Sequence, residues 1–308
     1  MPTDSSCSRL HGIVPPIVTP LAGRDELDLP GLGRLVEHLI AGGVHGMFVL
    51  GTTGEAPGLS HRLRHEMVRE TLRLVRGRVP VIVGITDTSF TESVELAAVA
   101  AAAGAAAVVA LTPYYFPAAQ PELNDYLDDL CAELPLPLFL YNFPALSKLW
   151  WELPTVERAM QNPKIAGIKD SSGDMIYVHG LLRLARGRAD WSVFVGPEEL
   201  TAEAVMLGAH GGINAGANLF PSLYVDLYNA AAAGELEKVR RLQPRVLEIA
   251  AELYTVGKHK SSLIKGVKCA LSLLGICGDQ MAEPLRAFRE PERDEVRRRM
   301  LKLGLLPP

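Results

Sequence analysis

The sequence predicts an α/β fold: eight parallel strands closed into a (β/α)8 TIM barrel, with an all-helical extension at the C-terminal side. Three observations carry that prediction. Short apolar runs alternate with amphipathic helical runs, giving eight strands within about 220 residues. Beyond Leu219 the strand signals stop and only helical periodicity follows. No Gly-x-Gly-x-x-Gly fingerprint follows the first strand, as an open, doubly wound dinucleotide-binding sheet would have.

The first strand falls in residues 12–19, where Pro15-Pro16 imply a bent, partly unpaired segment. Residues 29–41 have helical periodicity and stop at Gly42-Gly43. The second strand is 46–50, and helix 60–76 follows it. Six more strands fall at 80–84, 106–111, 138–141, 165–169, 192–196 and 211–214. Helices at 91–103, 121–133, 154–161, 174–186 and 198–208 lie between them. Residues 221–233, 235–255, 260–274 and 284–301 complete the chain as helices. No Gly/Ser-rich or charged linker intervenes, so 1–219 is expected as the barrel and 220–308 as a helical extension of the same domain.

At 308 residues and 48% hydrophobic, the chain can bury a sizeable core. A net charge of -4 and the lack of a long basic run argue against a nucleic-acid surface. Cys7, Cys131, Cys269 and Cys277 have neither metal-type nor disulfide-framework spacing, so reduced thiols and a cytoplasmic location are expected. Residues 1–9 are polar and lack an apolar signal core. The uncharged stretch 96–111 is alanine-rich, broken by Gly104, and too short for a bilayer, so no membrane association is expected.

Barrels of this kind carry their chemistry where strands end. The sixth strand ends Ile165-Ala-Gly-Ile-Lys169-Asp170. A lysine buried there loses hydration, which favours the neutral, nucleophilic amine that forms Schiff bases. The alternative is a lysine that reaches past the strand end or pairs with Asp170. The second strand ends Gly51-Thr52-Thr53-Gly54-Glu55, whose hydroxyls and amides suit a carboxylate; an ordinary glycine turn is the other reading. The fourth delivers Thr112-Pro113-Tyr114-Tyr115 and the fifth Tyr141-Asn142-Phe143-Pro144. A strand-end tyrosine is either a core residue or a phenol able to relay protons. The seventh gives Gly196-Pro197-Glu198-Glu199 and the eighth Gly211-Gly212-Ile213-Asn214. His61 and His65 have the i, i+4 spacing of a zinc pair, but Arg62 and Arg64 flank them and a solvated face is the reading adopted. Trp150 and Trp151 are read as packing or subunit-contact residues.

These strand-end motifs, taken in order, resemble the dihydrodipicolinate synthase / N-acetylneuraminate lyase family, over residues 10–301. The resemblance implies a (β/α)8 barrel, class I aldolase or lyase chemistry through a pyruvate Schiff base, an aldehyde as second substrate, and a homotetramer built as a dimer of dimers. It implies no organic cofactor and no catalytic metal. Carried over, Lys169 is the Schiff-base lysine, and Tyr141 moves protons and helps place the pyruvyl carboxylate. Thr52 and Thr53 bind that carboxylate, and Thr52 joins Tyr141 in a relay. Tyr115 reaches into a neighbouring subunit's site. Gly196 and Ile213 line the pocket, and Ser171 offers another hydroxyl.

One departure separates branches of the family. True synthases follow Tyr-Asn-x-Pro with a small residue and an arginine that grips the aldehyde's carboxylate; here Ala145-Leu146 stands there. The motif looks instead like the lyase branch, in which acidic residues at the places of Glu198 and Glu199 contact substrate hydroxyls. That branch usually has Ser-Thr where this chain has Thr52-Thr53, and a serine where it has Ala215. N-acetylneuraminate, a 2-keto-3-deoxy sugar acid and a product with a hydroxylated or hydrophobic acceptor therefore all stay open. A genuine synthase and a non-catalytic 2-oxo-acid-binding barrel are the alternatives.

Overall fold

Prolines sit at the seam that closes the barrel. In the computed structural model, which describes residues 9–306, the first strand is short: β1 (Gly12–Ile13). The chain then bends at Pro15-Pro16, which have no N–H to donate. The Phe48 N–H donates to the Pro15 carbonyl and the Ile17 N–H to the Phe48 carbonyl, both at 2.9 Å. The expected strand 12–19 is thus reduced to β1 and a single bridge, Pro16 to Phe48.

A hairpin not expected from sequence follows, β2 (Leu21–Gly23) and β3 (Glu26–Leu27). The alternating run is α1 (Leu29–Ala41), β4 (Met47–Val49), α2 (His61–Val75), β5 (Val81–Gly84), α3 (Phe90–Ala103), β6 (Ala107–Leu111), α4 (Gln120–Glu133) and β7 (Leu138–Asn142). It continues through the short α5 (Pro144–Ser147), α6 (Leu153–Ala159), β8 (Ile165–Asp170), α7 (Met175–Ala185), β9 (Ser192–Val195), α8 (Thr201–Met206) and β10 (Gly211–Gly212). The eight barrel strands lie in the order β1-β10-β9-β8-β7-β6-β5-β4, all parallel, and the Pro16 bridge joins the two ends.

Two apolar layers result. Inside the barrel, alternate strand residues converge, among them Phe48, Val109, Phe139, Tyr141, Phe194 and Ile213. Between strands and helices lies the larger core, with Leu35, Val49, Leu140, Ile168 and Trp191 in it.

α9 (Pro221–Ala232) packs on β1 and α8, with Tyr224 and Leu227 beside Ile13 and Val205. It completes the ring of helices, although it lies beyond residue 219. α10 (Leu236–Leu253), α11 (Ser262–Leu273) and α12 (Glu292–Lys302) follow. The expected helix 284–301 starts only at Glu292, because Pro284 and Pro291 keep the preceding segment out of helix. Likewise, 198–208 divides into a 3-10 turn, Glu198–Leu200, and α8.

No helix among the described residues is long and apolar enough to cross a membrane. Cys131, Cys269 and Cys277 are buried free thiols, and burial pushes them up to about 11, 12 and 12; Cys7 lies outside the described residues.

Candidate active site

β7 and β8 pair so that Tyr141 lies directly across from Lys169, with Phe139 across from Gly167 one pleat below. Gly167 must lack a side chain: a Cβ there would fall 2.5 Å from the Phe139 ring. Lys169 therefore stands on a filled barrel floor, only 3% exposed. Its Nζ lies 4.1 Å from the centroid of the Tyr141 ring and 5.1 Å from that of Phe48. Among the described residues no hydrogen bond or ion pair reaches it.

The pairing of Lys169 with Asp170 does not occur. Strand alternation turns Asp170 to the other face, where its carboxylate accepts from Asn142 Nδ2 at 2.7 Å and from the Ser172 hydroxyl at 2.8 Å. Burial raises the Asp170 pKa, and those hydrogen bonds oppose the rise. Trp151, fully buried, donates its indole N–H to the Tyr141 carbonyl at 3.0 Å and its backbone N–H to Asn142 Oδ1 at 3.1 Å. Trp150 packs edge-on against Tyr177 at 5.1 Å. The tryptophans thus brace the strand end from behind.

Opposite Tyr141 is the turn after β4. Two non-glycine residues there have left-handed backbone, Leu50 (φ 60°) and Glu55 (φ 57°), at roughly 1–2 kcal/mol each. Gly84 leaves room for this geometry, since a Cβ would come 2.3 Å from the Leu50 carbonyl oxygen. Glu55 is held by Lys268 on α11: Nζ lies 2.7 Å from Glu55 Oε1 and also donates to the carbonyls of Thr19 (2.9 Å) and Gln280. The Ala282 N–H donates to Glu55 Oε2 at 2.8 Å. This turn brings Thr52 Oγ1 to 3.3 Å from the Tyr141 hydroxyl, with Thr53 buried beside it.

Thr52 and Tyr141 open onto a cavity of about 360 Å3. Ser171 and Gly196 adjoin Lys169, for a Cβ on Gly196 would fall 2.0 Å from Ser171 Oγ and 3.3 Å from Lys169 Cε. Ile213 is buried in the barrel cluster that holds Tyr141 and Phe48. Tyr115 does not line this cavity; it is 75% exposed and packs edge-on against the exposed Phe116.

The two glutamates are a correction. Glu198 is buried and faces the tail: its Oε1 accepts from the hydroxyls of Tyr224 (2.6 Å) and Tyr254 (2.7 Å), and its Oε2 from the Gly216 N–H at 2.9 Å. Three hydrogen bonds hold this carboxylate, and it does not line the cavity. Glu199 is exposed and does not line the cavity. His61 also differs from a simple solvated residue, because Asp87 Oδ2 and Glu92 Oε2 approach its two ring nitrogens at 3.1 and 3.0 Å.

Sequence reasoning missed part of the cavity wall. Tyr114 lines it and was named only as a motif residue. Ile264, Pro284 and Leu285 come from the helical tail, where no local signal marks a site residue.

A buried amine without partners, facing a phenol that meets a threonine hydroxyl, is equipped for carbonyl chemistry by imine formation. A (β/α)8 barrel carrying that group defines a class of lyase. The model of the dihydrodipicolinate synthetase family matches residues 9–303, and the chain belongs to that family. It is accordingly an enzyme of the pyruvate-dependent class I aldolase type. The probable 2-dehydro-3-deoxy-D-pentonate aldolase of Escherichia coli is 32% identical to it, covering 97% of this chain and 99% of the relative. The 4-hydroxy-tetrahydrodipicolinate synthase of Methanopyrus kandleri is also 32% identical, over 97% and 98%. Among solved structures, the dihydrodipicolinate synthase of Bacteroides thetaiotaomicron matches with TM-score 0.93 and 53% identity, over 95% of this chain and 98% of that one. A prophage protein of the same family from Escherichia coli, solved in complex with pyruvate, matches with TM-score 0.90 and 28% identity, over 96% and 99%. Relatives thus include both synthases and a sugar-acid aldolase.

Proposed function

We propose that this enzyme makes or breaks the C3–C4 bond of a 4-hydroxy-2-oxo acid through an imine between Lys169 and pyruvate. The observation that carries the reading is Lys169 itself: buried, without a hydrogen-bond or ion-pair partner among the described residues, and directly across from Tyr141. Imine formation places positive charge beside C2, so loss of a C3 proton or cleavage of the C3–C4 bond leaves an enamine rather than a bare carbanion. Tyr141 can take or give the proton, and Thr52 at 3.3 Å can pass it on. The Thr52 and Thr53 hydroxyls, with the amides of their turn, suit the pyruvyl carboxylate. Ser171, Gly196 and Ile213 shape the space around the imine. Tyr115, exposed in a single chain, completes the site of a neighbouring subunit, so the active species is at least a dimer and is proposed to be a tetramer.

On the acceptor side Leu146, which lines the cavity, offers no donor to a carboxylate. This favours a neutral aldehyde over the aspartate semialdehyde that a synthase takes. The synthase remains the second reading, favoured by the 53% identity to a structure bearing that name.

Incubation with pyruvate and borohydride tests the imine. A reduced pyruvyl mass is expected at Lys169 alone and is expected to vanish in Lys169→Arg, since arginine keeps the charge but is never a neutral nucleophile. Labelling at another residue, or none, would overturn the mechanism and leave a barrel that only binds 2-oxo acids.

A further inference from the structure

Past Thr52 and Tyr141, the cavity wall is assembled from four parts of the chain. Pro57 comes from the turn after β4, Leu146 from α5, Ile264 from α11, and Pro284 and Leu285 from the non-helical segment before α12. All five side chains are hydrocarbon. No arginine, lysine or histidine lines the cavity among the described residues.

Two carboxylates border it, and both are engaged. Glu55 has one oxygen on Lys268 and the other on the Ala282 N–H. Glu283 pairs with Arg24 at 2.7 Å on the exposed rim. The remaining polar side chains on the wall are hydroxyls on one side, Thr86 and Tyr114, and Thr86 Oγ1 already accepts from the Leu111 N–H at 2.8 Å. Glu198, bonded to the tail, and Glu199, exposed, were expected to meet a sugar's hydroxyls, and neither lines the cavity. A polyol chain seated here would lose water from each hydroxyl and find few partners, and a carboxylate would find no cation.

We infer that the acceptor aldehyde carries an apolar substituent, alkyl or aryl, which packs against the Leu146–Ile264–Leu285 wall. This deepens the reading of Lys169 as the imine lysine and rests on it. The cavity's volume lies at the small end of the range for ligand sites, about 300–1,000 Å3, and suits one short chain or a single ring beside pyruvate. In the forming direction, pyruvate condenses with Lys169 and releases water. The C3 proton leaves, and the enamine electron pair forms the C3–C4 bond to the aldehyde carbon. The aldehyde oxygen takes up a proton, and water then hydrolyses the imine, freeing the amine and a 4-hydroxy-2-oxo acid with an apolar tail. Cleavage is the same sequence reversed.

The test is a panel of acceptors with pyruvate and the full chain: butanal and benzaldehyde against glyceraldehyde and aspartate semialdehyde, read as kcat/KM. One well-packed methylene is worth about tenfold or more, so the better apolar aldehyde is expected to exceed glyceraldehyde by at least about tenfold and the semialdehyde by more. Borohydride trapping of pyruvate at Lys169 is run in parallel. Trapping together with equal or better use of glyceraldehyde or the semialdehyde overturns the acceptor inference and leaves the imine standing. Absence of trapping overturns both. In Ile264→Ser the ratio of apolar to hydroxylated acceptor is expected to fall about tenfold. Leu146→Ser, at the half-exposed rim, serves if that variant does not fold. An unchanged ratio in a folded variant also overturns the inference.

Discussion

Lys169 and Lys268 are both buried, at 3% and 0% exposure, and their surroundings are opposites. Lys268 has three acceptors for its three donors: the Thr19 and Gln280 carbonyls and Glu55 Oε1. It is a fixed ammonium that ties α11 to the strained turn carrying Thr52 and Thr53. Lys169 has the faces of two aromatic rings and, among the described residues, no acceptor at all. Among the described residues, no hydrogen bond or ion pair is broken when its amine attacks a carbonyl. The contrast shows that burial does not make a lysine reactive. What distinguishes the two is whether the fold needs the charge.

Removing each amine sharpens the comparison. Lys169→Met is expected to abolish turnover while leaving the melting temperature unchanged or higher, because an unpaired buried polar group is replaced by an uncharged, apolar thioether of similar length. Lys268→Met leaves Glu55 buried without a counter-charge, held by the Ala282 N–H alone among the described residues, a loss of about 3–5 kcal/mol. The melting temperature should then fall by roughly 5–8 °C. Thermal unfolding of the two variants beside their turnover decides the matter, and an equal drop in both would erase the distinction. Tyr141→Phe comes next. Among the described residues its hydroxyl hydrogen-bonds only to Thr52, at 3.3 Å, so stability should change by less than about 1 kcal/mol. Loss of the proton carrier should lower kcat by about 10²–10⁴-fold. A large drop in melting temperature with kcat preserved would make that phenol a structural group.

What could be read in advance follows the same division. Lys169 and Tyr141 were legible because each ends a cleanly punctuated apolar strand, and strand ends in a closed barrel converge. Lys268 was not, since its partners Thr19, Glu55 and Gln280 lie as many as 249 residues away and nothing in the α11 periodicity marks it. Glu198 was placed at the correct end of the barrel and given the wrong direction. Neighbours on a tight 3-10 turn point apart, and the tyrosines that claim its carboxylate come from α9 and the end of α10. The barrel strands were found to within a few residues except the first, which stops at Ile13 before Pro15-Pro16, whereas the hairpin over 21–27 was too short for any periodicity. The tail helix was drawn too long because its apolar spacing outweighed Pro291.

Glu198 offers the smallest effect and the narrowest test. Burial raises its pKa to about 7 from the usual 4.5, although Tyr224, Tyr254 and the Gly216 N–H all pull the other way. The folded protein therefore holds this proton more tightly than the unfolded chain between about pH 4.5 and 7. The group's contribution to stability is greatest below that window and declines as pH rises through it, by on the order of 3 kcal/mol in all. Glu198→Gln stays neutral at every pH. Its carbonyl can accept from both tyrosines, while its amino group faces the Gly216 N–H and loses that bond. The variant should be the less stable protein near pH 5, by about 1–3 kcal/mol, and the gap should close or reverse by pH 8. Melting curves of both proteins from pH 5 to 8 measure this directly; a gap that stays constant would mean that Glu198 does not titrate there. Because its oxygens are spent on the tail, kcat/KM for pyruvate should change by less than about threefold, within the effect of losing one remote hydrogen bond. A much larger loss would show that a carboxylate this thoroughly satisfied still reaches the reaction, and that partner count alone does not separate structural groups from chemical ones.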